Sequence, residues 1–187
     1  RSFNDFSRKI IVGVAASHLN EKKGIGNLLA MLVEFKKISS KDIRLELVGD
    51  VDIDLLENYK REIAMYGLEN CIVFVGYQTR DALRATMRKW DFYIQASVCE
   101  GHPNSIFECL CSGTGFISSK TGYIAERLQN LFPEFFFDSF SPKIIAKKLK
   151  DLAETSNLAS RYLAAFYELK KGCTKEEVDR KWIDLLA

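Results

Sequence analysis

Two carboxylates near the middle of the chain have the spacing that most clearly suggests chemistry. Glu100 precedes a predicted helix, and Glu108 comes eight residues later, about one turn into that helix. An ionised carboxylate accepts hydrogen bonds from two adjacent hydroxyls, so such a pair suits a polyhydroxyl ligand. A charged loop residue followed by an exposed helix residue would give the same pattern, and the spacing alone does not separate the two explanations.

The residues between these carboxylates favour an anionic group as well. Gly101 lets the backbone come close to a ligand. At the start of a helix the first amides have no partner within the helix, and the helix dipole favours a negative charge there. The amides that we expect to face a phosphate belong to Asn104, Ser105 and Ile106.

A polar loop over 17–24 joins the first predicted strand to its helix. It brings His18 and Lys23 to a helix N-terminus beside Gly24, where an anion is again favoured. A further loop with Lys120 and Gly122 repeats the combination of a cation and a glycine at a strand end. Taken alone, a solvated polar loop is the simpler explanation of either segment.

These loops follow short apolar runs that alternate with amphipathic helices. Continuous apolar runs are typical of strands buried on both faces, whereas a stripe at i, i+3, i+4 and i+7 is typical of a helix. About six strand–helix repeats predict an α/β fold, a Rossmann-like doubly wound parallel sheet flanked by helices. The predicted strands are 9–16, 43–48, 71–75, 91–96, 115–118 and 135–137. The predicted helices are 25–33, 56–66, 79–87, 104–112, 124–131, 142–154, 158–169 and one opened by a capping box at 174–177.

Composition narrows the class of protein. The 187 residues carry 27 Lys and Arg against 25 Asp and Glu, a net charge of +2 that gives no strong field for nucleic acid. Five scattered cysteines without a C-x-x-C pair, and two histidines, suggest neither a disulfide framework nor a zinc site. The longest apolar runs are strand-sized, so we expect a reduced, cytoplasmic protein.

Lysine doublets such as Lys36-Lys37 and Lys147-Lys148 are typical of solvated helix faces. A weak attraction to an anionic membrane is the second explanation, which would place the protein at the inner face of the membrane.

A set of residues in a fixed order resembles one known family. The order is Lys23-Gly24, Gly49-Asp50, Phe74-x-Gly76, Asp91, Ser97 and Glu100-Gly101-x-Pro103-Asn104-x₃-Glu108. It is similar to the C-terminal, donor-nucleotide-binding domain of GT-B glycosyltransferases of retaining family 4, the group 1 type. The spacing of Glu100 and Glu108 matches the E-x₇-E motif of that group, and the similarity spans nearly the whole chain.

The resemblance implies half of a GT-B enzyme. Residues 1–187 would form a single donor-binding domain with trailing C-terminal helices, and the acceptor domain would be absent from this chain. The implied reaction transfers a sugar from a nucleotide-diphosphate sugar with retention of configuration. The implied acceptor is a glycan or lipid-linked saccharide, as in polysaccharide biosynthesis. We expect the isolated chain to bind its donor without transferring sugar.

The resemblance also assigns roles to the two charged loops. Lys23 would bind the donor diphosphate, helped by Gly24 and the amides of the helix that begins at Asn104. Glu100 would contact the transferred sugar near its reacting carbon, so that Lys23 and Glu100 are the implied catalytic residues. Glu108 would accept hydrogen bonds from the ribose hydroxyls.

Gly76 and Tyr77 would lie near the base. The family usually has an arginine five residues before the lysine, and His18 takes that place here. No metal or other cofactor is implied. Asp50-Val51-Asp52 has the spelling of a metal motif but lies where the family has a glycine loop.

Two alternatives stay open at the level of sequence. A nucleotide-sugar epimerase or inverting transferase on the same fold would need a catalytic histidine or carboxylate network that the residues do not reveal. A noncatalytic nucleotide-sugar binding module would keep the binding residues and lose turnover.

Overall fold

The computed structural model describes residues 9–101 and 103–171. Its centre is one six-stranded sheet in the order β3-β2-β1-β4-β5-β6, and every pair of neighbouring strands is parallel. The predicted α/β class and the parallel sheet are thereby confirmed. The strands are β1 (Ile10–His18), β2 (Ile43–Asp50), β3 (Ile72–Gly76), β4 (Phe92–Gln95), β5 (Gly115–Ser119) and β6 (Phe136–Phe137).

Helices connect the strands and cover both faces of the sheet. They are α1 (Ile25–Ile38), α2 (Ile53–Tyr66), α3 (Arg80–Met87), α4 (Asn104–Cys111), α5 (Gly122–Leu128), α6 (Pro142–Ala153) and α7 (Leu158–Lys170). Short 3-10 helices occupy Glu21–Lys23 and Pro133–Phe135. The helix predicted over 124–131 is α5, which begins at Gly122 and ends three residues early. The helix predicted after 174 lies outside the described residues.

Trp90 and Asp91 join the central strands of the sheet through packing and hydrogen bonds. A Cβ atom on Gly13 would lie 2.0 Å from the Trp90 indole, so the indole packs directly on the β1 backbone. The indole N–H of Trp90 donates to the Glu46 carboxylate over 2.9 Å. The Asp91 carboxylate accepts from the Ile11 amide, and the Asp91 amide donates to the Ile11 carbonyl, each over 2.8 Å. These contacts fix β4 beside β1.

The strand order reverses between β1 and β4. The chain leaves β1 towards β2 and β3 on one side, and leaves β4 towards β5 and β6 on the other. After these two strands the chain therefore continues in opposite directions along the sheet. The crevice at such a switch point, on the carboxyl edge, is the usual ligand position in open α/β sheets. This crevice lies at the two loops that the sequence selected for their charges.

Candidate functional site

The loops after β1 and β4 meet through backbone contacts. Gly24 has a φ of 70°, and a Cβ atom on it would lie 2.3 Å from the carbonyl oxygen of Ala96. The Val98 amide donates to the Lys22 carbonyl over 3.1 Å. Both the left-handed backbone and the close approach require glycine at position 24. These contacts hold the 3-10 turn that carries Lys23 against the loop that carries Glu100.

Lys23 and Glu100 form an ion pair across the crevice. The Lys23 Nζ atom donates to Glu100 Oε1 over 2.8 Å, and the two side chains are 29% and 17% exposed. The sequence selected both residues as the implied catalytic pair without predicting that they touch. In this structure the ammonium that would meet an anion is already paired with a carboxylate.

The loop that carries Glu100 is also held from the side of β5. The Tyr123 amide donates to the Gly101 carbonyl over 2.9 Å. Gly122 has a φ of 73°, and a Cβ atom on it would lie 2.7 Å from that same carbonyl oxygen. Gly101 itself has open space around its Cβ position, so no protein atom demands a glycine there.

A buried polar network lies beneath this loop, at the ends of β4 and β5. Gln95 donates through Nε2 to the Ser118 hydroxyl over 3.2 Å. The Ser119 hydroxyl donates to the Ser97 carbonyl over 2.8 Å and also lies 3.1 Å from the Thr121 hydroxyl. Buried polar groups that are satisfied in this way rigidify their surroundings. Sequence reasoning missed Gln95, and its polarity within the otherwise apolar strand 92–95 was the available signal.

The N-terminus of α4 contains the three residues whose amides were expected to face a phosphate. Asn104 is exposed, Ser105 is half-buried and Ile106 is buried. The Ile106 amide donates to the Pro103 carbonyl over 3.1 Å, so it is engaged within the helix start. This bond is of the 3-10 type, and the expectation that the Ile106 amide faces a phosphate stays a prediction.

The buried Tyr93, which sequence reasoning missed, contacts the first turn of α4. Its hydroxyl forms a hydrogen bond with the Ser105 side chain. Burial raises the pKa of Tyr93 well above its usual value, and the nearby Cys109, Glu100 and Glu108 raise it further. The hydroxyl therefore stays protonated and can hold Ser105 at any working pH.

A cavity of about 280 Å³ opens between the ends of β1 and β2 and the helices α3 and α4. Its lining includes Ser17, Gly49, Tyr77, Arg80, Ser105 and Glu108. Tyr77, Ser105 and Glu108 were selected from the sequence, and the fold brings them to one cavity. Lys23 and Glu100 do not line this cavity, although Glu100 and Ser105 belong to the same β4–α4 connection.

Glu108 faces a cation that sequence reasoning missed. Its Oε1 atom lies 3.7 Å from Nε of Arg80, the first residue of α3, whose side chain is exposed. Thr79 caps α3 by accepting from the Ala82 amide, as predicted. No spacing in the sequence links positions 80 and 108, because they meet only through the packing of two helices.

The connection from β3 to α3 supplies the opposite wall of the cavity. Gly76 ends β3 with a φ of 79° and has open space around its Cβ position, so the backbone conformation alone favours glycine. Tyr77 follows with an exposed ring. The Oε1 atom of Gln78, which also lines the cavity, is buried without a hydrogen-bond partner among the described residues.

His18 lies at the edge of this arrangement. It is the last residue of β1, is exposed, and is in register with Asp50 of β2. Ser17 lines the cavity but His18 does not. Lys120, the cation of the third loop, forms an ion pair with Asp138.

Among residues 9–101 and 103–171, no three His, Cys, Asp or Glu side chains are grouped so that they could hold a metal ion. The expectation of a metal-independent site stays a prediction. Within the same ranges, no helix is both long and apolar enough to cross a membrane.

A family model described as Glycosyl transferases group 1 matches residues 4–168. The chain belongs to this family. Protein CapJ of Staphylococcus aureus is 29% identical over 164 residues, which cover 84% of this chain and 38% of CapJ. The chain therefore spans well under half the length of this relative.

Several solved structures share this fold. HepE of Anabaena, crystallised with UDP and glucose, superposes with a TM-score of 0.80 at 19% identity, covering 97% of this chain and 49% of HepE. The C-terminal domain of LpcC, a group 1 glycosyl transferase protein of Francisella tularensis, gives a TM-score of 0.73 at 17% identity and covers 89% of this chain and 87% of that domain. At these identities the likeness shows the fold alone.

Proposed function

We propose that this chain is the donor-binding half of a glycosyltransferase that takes a sugar from a nucleotide-diphosphate sugar and transfers it with retention of configuration. Membership of the group 1 family supports the reaction class. The likeness to a separately crystallised C-terminal domain supports the assignment to one half of a longer enzyme. The observation that carries the proposal is the Lys23–Glu100 pair, held at the strand-order reversal beside the cavity that contains Glu108.

In this proposal the nucleoside occupies the cavity of about 280 Å³. Glu108 accepts hydrogen bonds from the ribose hydroxyls, since one carboxylate serves two adjacent hydroxyls well. Gly76 and the exposed ring of Tyr77 border the base. Arg80, whose Nε atom lies 3.7 Å from Glu108 Oε1, helps to orient the Glu108 carboxylate.

The diphosphate then lies between the cavity and Lys23. The amides of Asn104 and Ser105, at the positive end of α4, lie on the same side of the sheet. A lysine ammonium and helix amides aimed at a departing diphosphate stabilise the charge that develops as the glycosidic bond breaks. The Lys23 ammonium and these amides would therefore stabilise the negative charge of the diphosphate, and we assign no metal ion to the site.

Glu100 has two states in this account. Without ligand it pairs with Lys23 over 2.8 Å. When the diphosphate takes Lys23, the carboxylate is free to accept hydrogen bonds from the hydroxyls of the transferred sugar. The two residues of the ion pair therefore lie side by side, so that Lys23 can bind the phosphate of the donor while Glu100 accepts hydrogen bonds from its sugar.

The experiment that tests this proposal is a calorimetric screen of the chain against UDP-, GDP- and ADP-sugars, with uridine first because HepE was crystallised with UDP. Saturable binding of one nucleotide series, lost in Lys23→Ala and retained in the exposed-lysine control Lys60→Ala, is the expected result. Absence of binding by any of the three series would contradict the proposal. For the full-length enzyme, product NMR reports whether the anomeric configuration is retained.

A further inference from the structure

Lysines gather on one face where α1 packs against α6. On α6, Lys143, Lys147 and Lys150 follow the i, i+4, i+7 spacing that places them on a single helix face. With Lys37 of α1 they surround a cavity of about 540 Å³. We refer to Lys37, Lys143, Lys147, Lys150 and the exposed isoleucines beside them, Ile38 and Ile144, as the α1–α6 face.

The charges of this face are only partly neutralised. Glu34 and Asp151 line the same cavity, but Glu34 already accepts from Lys37 over 2.6 Å. Lys150 lies 3.8 Å from Glu154. Among the described residues, Lys143 and Lys147 have neither an ion pair nor a hydrogen bond. The pKa of Glu34 is lowered by its hydrogen bond with Lys37 and also by the charges of Lys37 and Lys143, so Lys143 is partly compensated by Glu34. The face therefore presents ammonium groups that are only partly neutralised.

Two exposed apolar side chains adjoin these lysines along the chain, and one of them, Ile38, lines the same cavity. Ile38 is 41% exposed and follows Lys37, and Ile144 is 44% exposed and follows Lys143. Lysines around exposed aliphatic side chains are the pattern of a surface that lies in a membrane interface, with the ammonium groups at the phosphates and the apolar groups below them. A nucleic-acid surface would be expected to include arginine or aromatic side chains, and none lines this cavity among the described residues.

We propose that the α1–α6 face binds the surface of a membrane that contains anionic phospholipids. Each lysine near such a surface adds an attraction that falls off within a Debye length, so several lysines on one face are needed for useful binding. The chain as a whole has a net charge of only +2, so the attraction comes from this local concentration and not from a general excess of cations. The proposal uses no residue of the donor site and stands independently of it.

The test is co-sedimentation of the full chain with vesicles of phosphatidylcholine mixed with phosphatidylglycerol, and with vesicles of phosphatidylcholine alone. We expect binding to the anionic vesicles only, weakened by salt. The double variant Lys143→Glu and Lys147→Glu should reduce partitioning about thirtyfold or more. The matched control Lys60→Glu and Lys170→Glu makes the same change in net charge on α2 and α7 and should reduce it far less.

A second variant separates insertion from simple attraction. Ile38→Ser with Ile144→Ser leaves every charge in place and should reduce partitioning severalfold at low and high salt alike. The loss caused by the lysine reversals should instead shrink at high salt, where charges are screened. Circular dichroism confirms that each variant is folded. Equal binding to neutral vesicles, equal losses in the two charge-reversal pairs, or failure of the wild-type chain to partition would overturn the proposal. The last result is also what a face covered by an acidic protein or a second copy would give.

Discussion

At the carboxyl edge of the sheet, Lys23 lies 2.8 Å from Glu100 and Arg80 lies 3.7 Å from Glu108, whereas Lys143 and Lys147 on α6 have no carboxylate within ion-pair distance among the described residues. The charge of a paired cation is already partly neutralised, so an anionic ligand must compete with the carboxylate and must offer more than charge. Free lysines attract any anionic surface, weakly and with strong dependence on salt. This difference is what we expect between the proposed donor site, which would select one ligand, and the proposed membrane-binding face, which would attract any anionic surface.

The largest effect is expected from Lys23→Ala. In the proposed site, this change removes the ammonium group that would contact the diphosphate. It also leaves Glu100 without its ion-pair partner. A charged hydrogen bond is worth about 1.5–3 kcal/mol, so nucleoside diphosphate affinity should fall about thirtyfold. Isothermal titration calorimetry measures this affinity, and Lys60→Ala is the control. An unchanged affinity would mean that the paired cation has no part in binding.

Glu108→Gln should have the next largest effect. The variant keeps the size of the side chain but loses the charge that faces Arg80 and that, in the proposed function, accepts hydrogen bonds from the ribose hydroxyls. Affinity for the bare nucleoside diphosphate should fall about tenfold. Glu57→Gln on α2 is the matched control, since Glu57 is an exposed carboxylate that pairs with Lys60. A loss confined to the nucleotide sugar would contradict the ribose assignment.

Glu100→Gln should act in the opposite direction on the bare nucleotide. It releases Lys23 from its carboxylate, and an ion pair of this kind is worth up to about 1 kcal/mol, so nucleoside diphosphate should bind roughly threefold more tightly. Turnover of the nucleotide sugar by the full-length enzyme should fall, because the sugar loses its acceptor. Weaker binding of the bare diphosphate would show that Glu100 contacts it directly.

The smallest effect is expected at His18, which is exposed and outside the cavity lining. The guanidinium of the usual family residue carries a permanent charge and a planar set of donors that suits a diphosphate, whereas imidazole does not. His18→Arg should therefore bind a nucleotide sugar about twofold more tightly than the wild type. Calorimetry at a single pH measures this affinity. Identical affinities in His18→Arg, His18→Ala and the wild type would make His18 an ordinary loop residue.

The sheet and many residues of the candidate site could be predicted from the sequence. Apolar runs such as 43–48 predicted the strands, and the alternation predicted their parallel order, because burial on both faces leaves a recognisable pattern. The helix predicted over 104–112 is α4, which begins at Asn104 as expected. The resemblance selected Tyr77, Ser105 and Glu108 before the fold brought them to one cavity.

What the sequence could not give is the set of contacts between distant side chains. The Arg80–Glu108 and Lys23–Glu100 pairs join residues on different loops and helices, and no periodicity records such distances. The engaged amide of Ile106 depends on the local geometry at Pro103. The end of α5 was misplaced because the apolar residues up to Leu131 continue the helical pattern after the helix has stopped at Leu128.

The central claim is that a nucleoside diphosphate takes Lys23 away from Glu100. One calorimetric series tests it most directly, with the bare nucleoside diphosphate titrated into the wild-type chain, Lys23→Ala and Glu100→Gln under identical conditions. We expect Glu100→Gln to bind the nucleoside diphosphate most tightly, the wild type less tightly and Lys23→Ala most weakly. Equal affinities in the three proteins, or a loss in Glu100→Gln as large as that in Lys23→Ala, would contradict it.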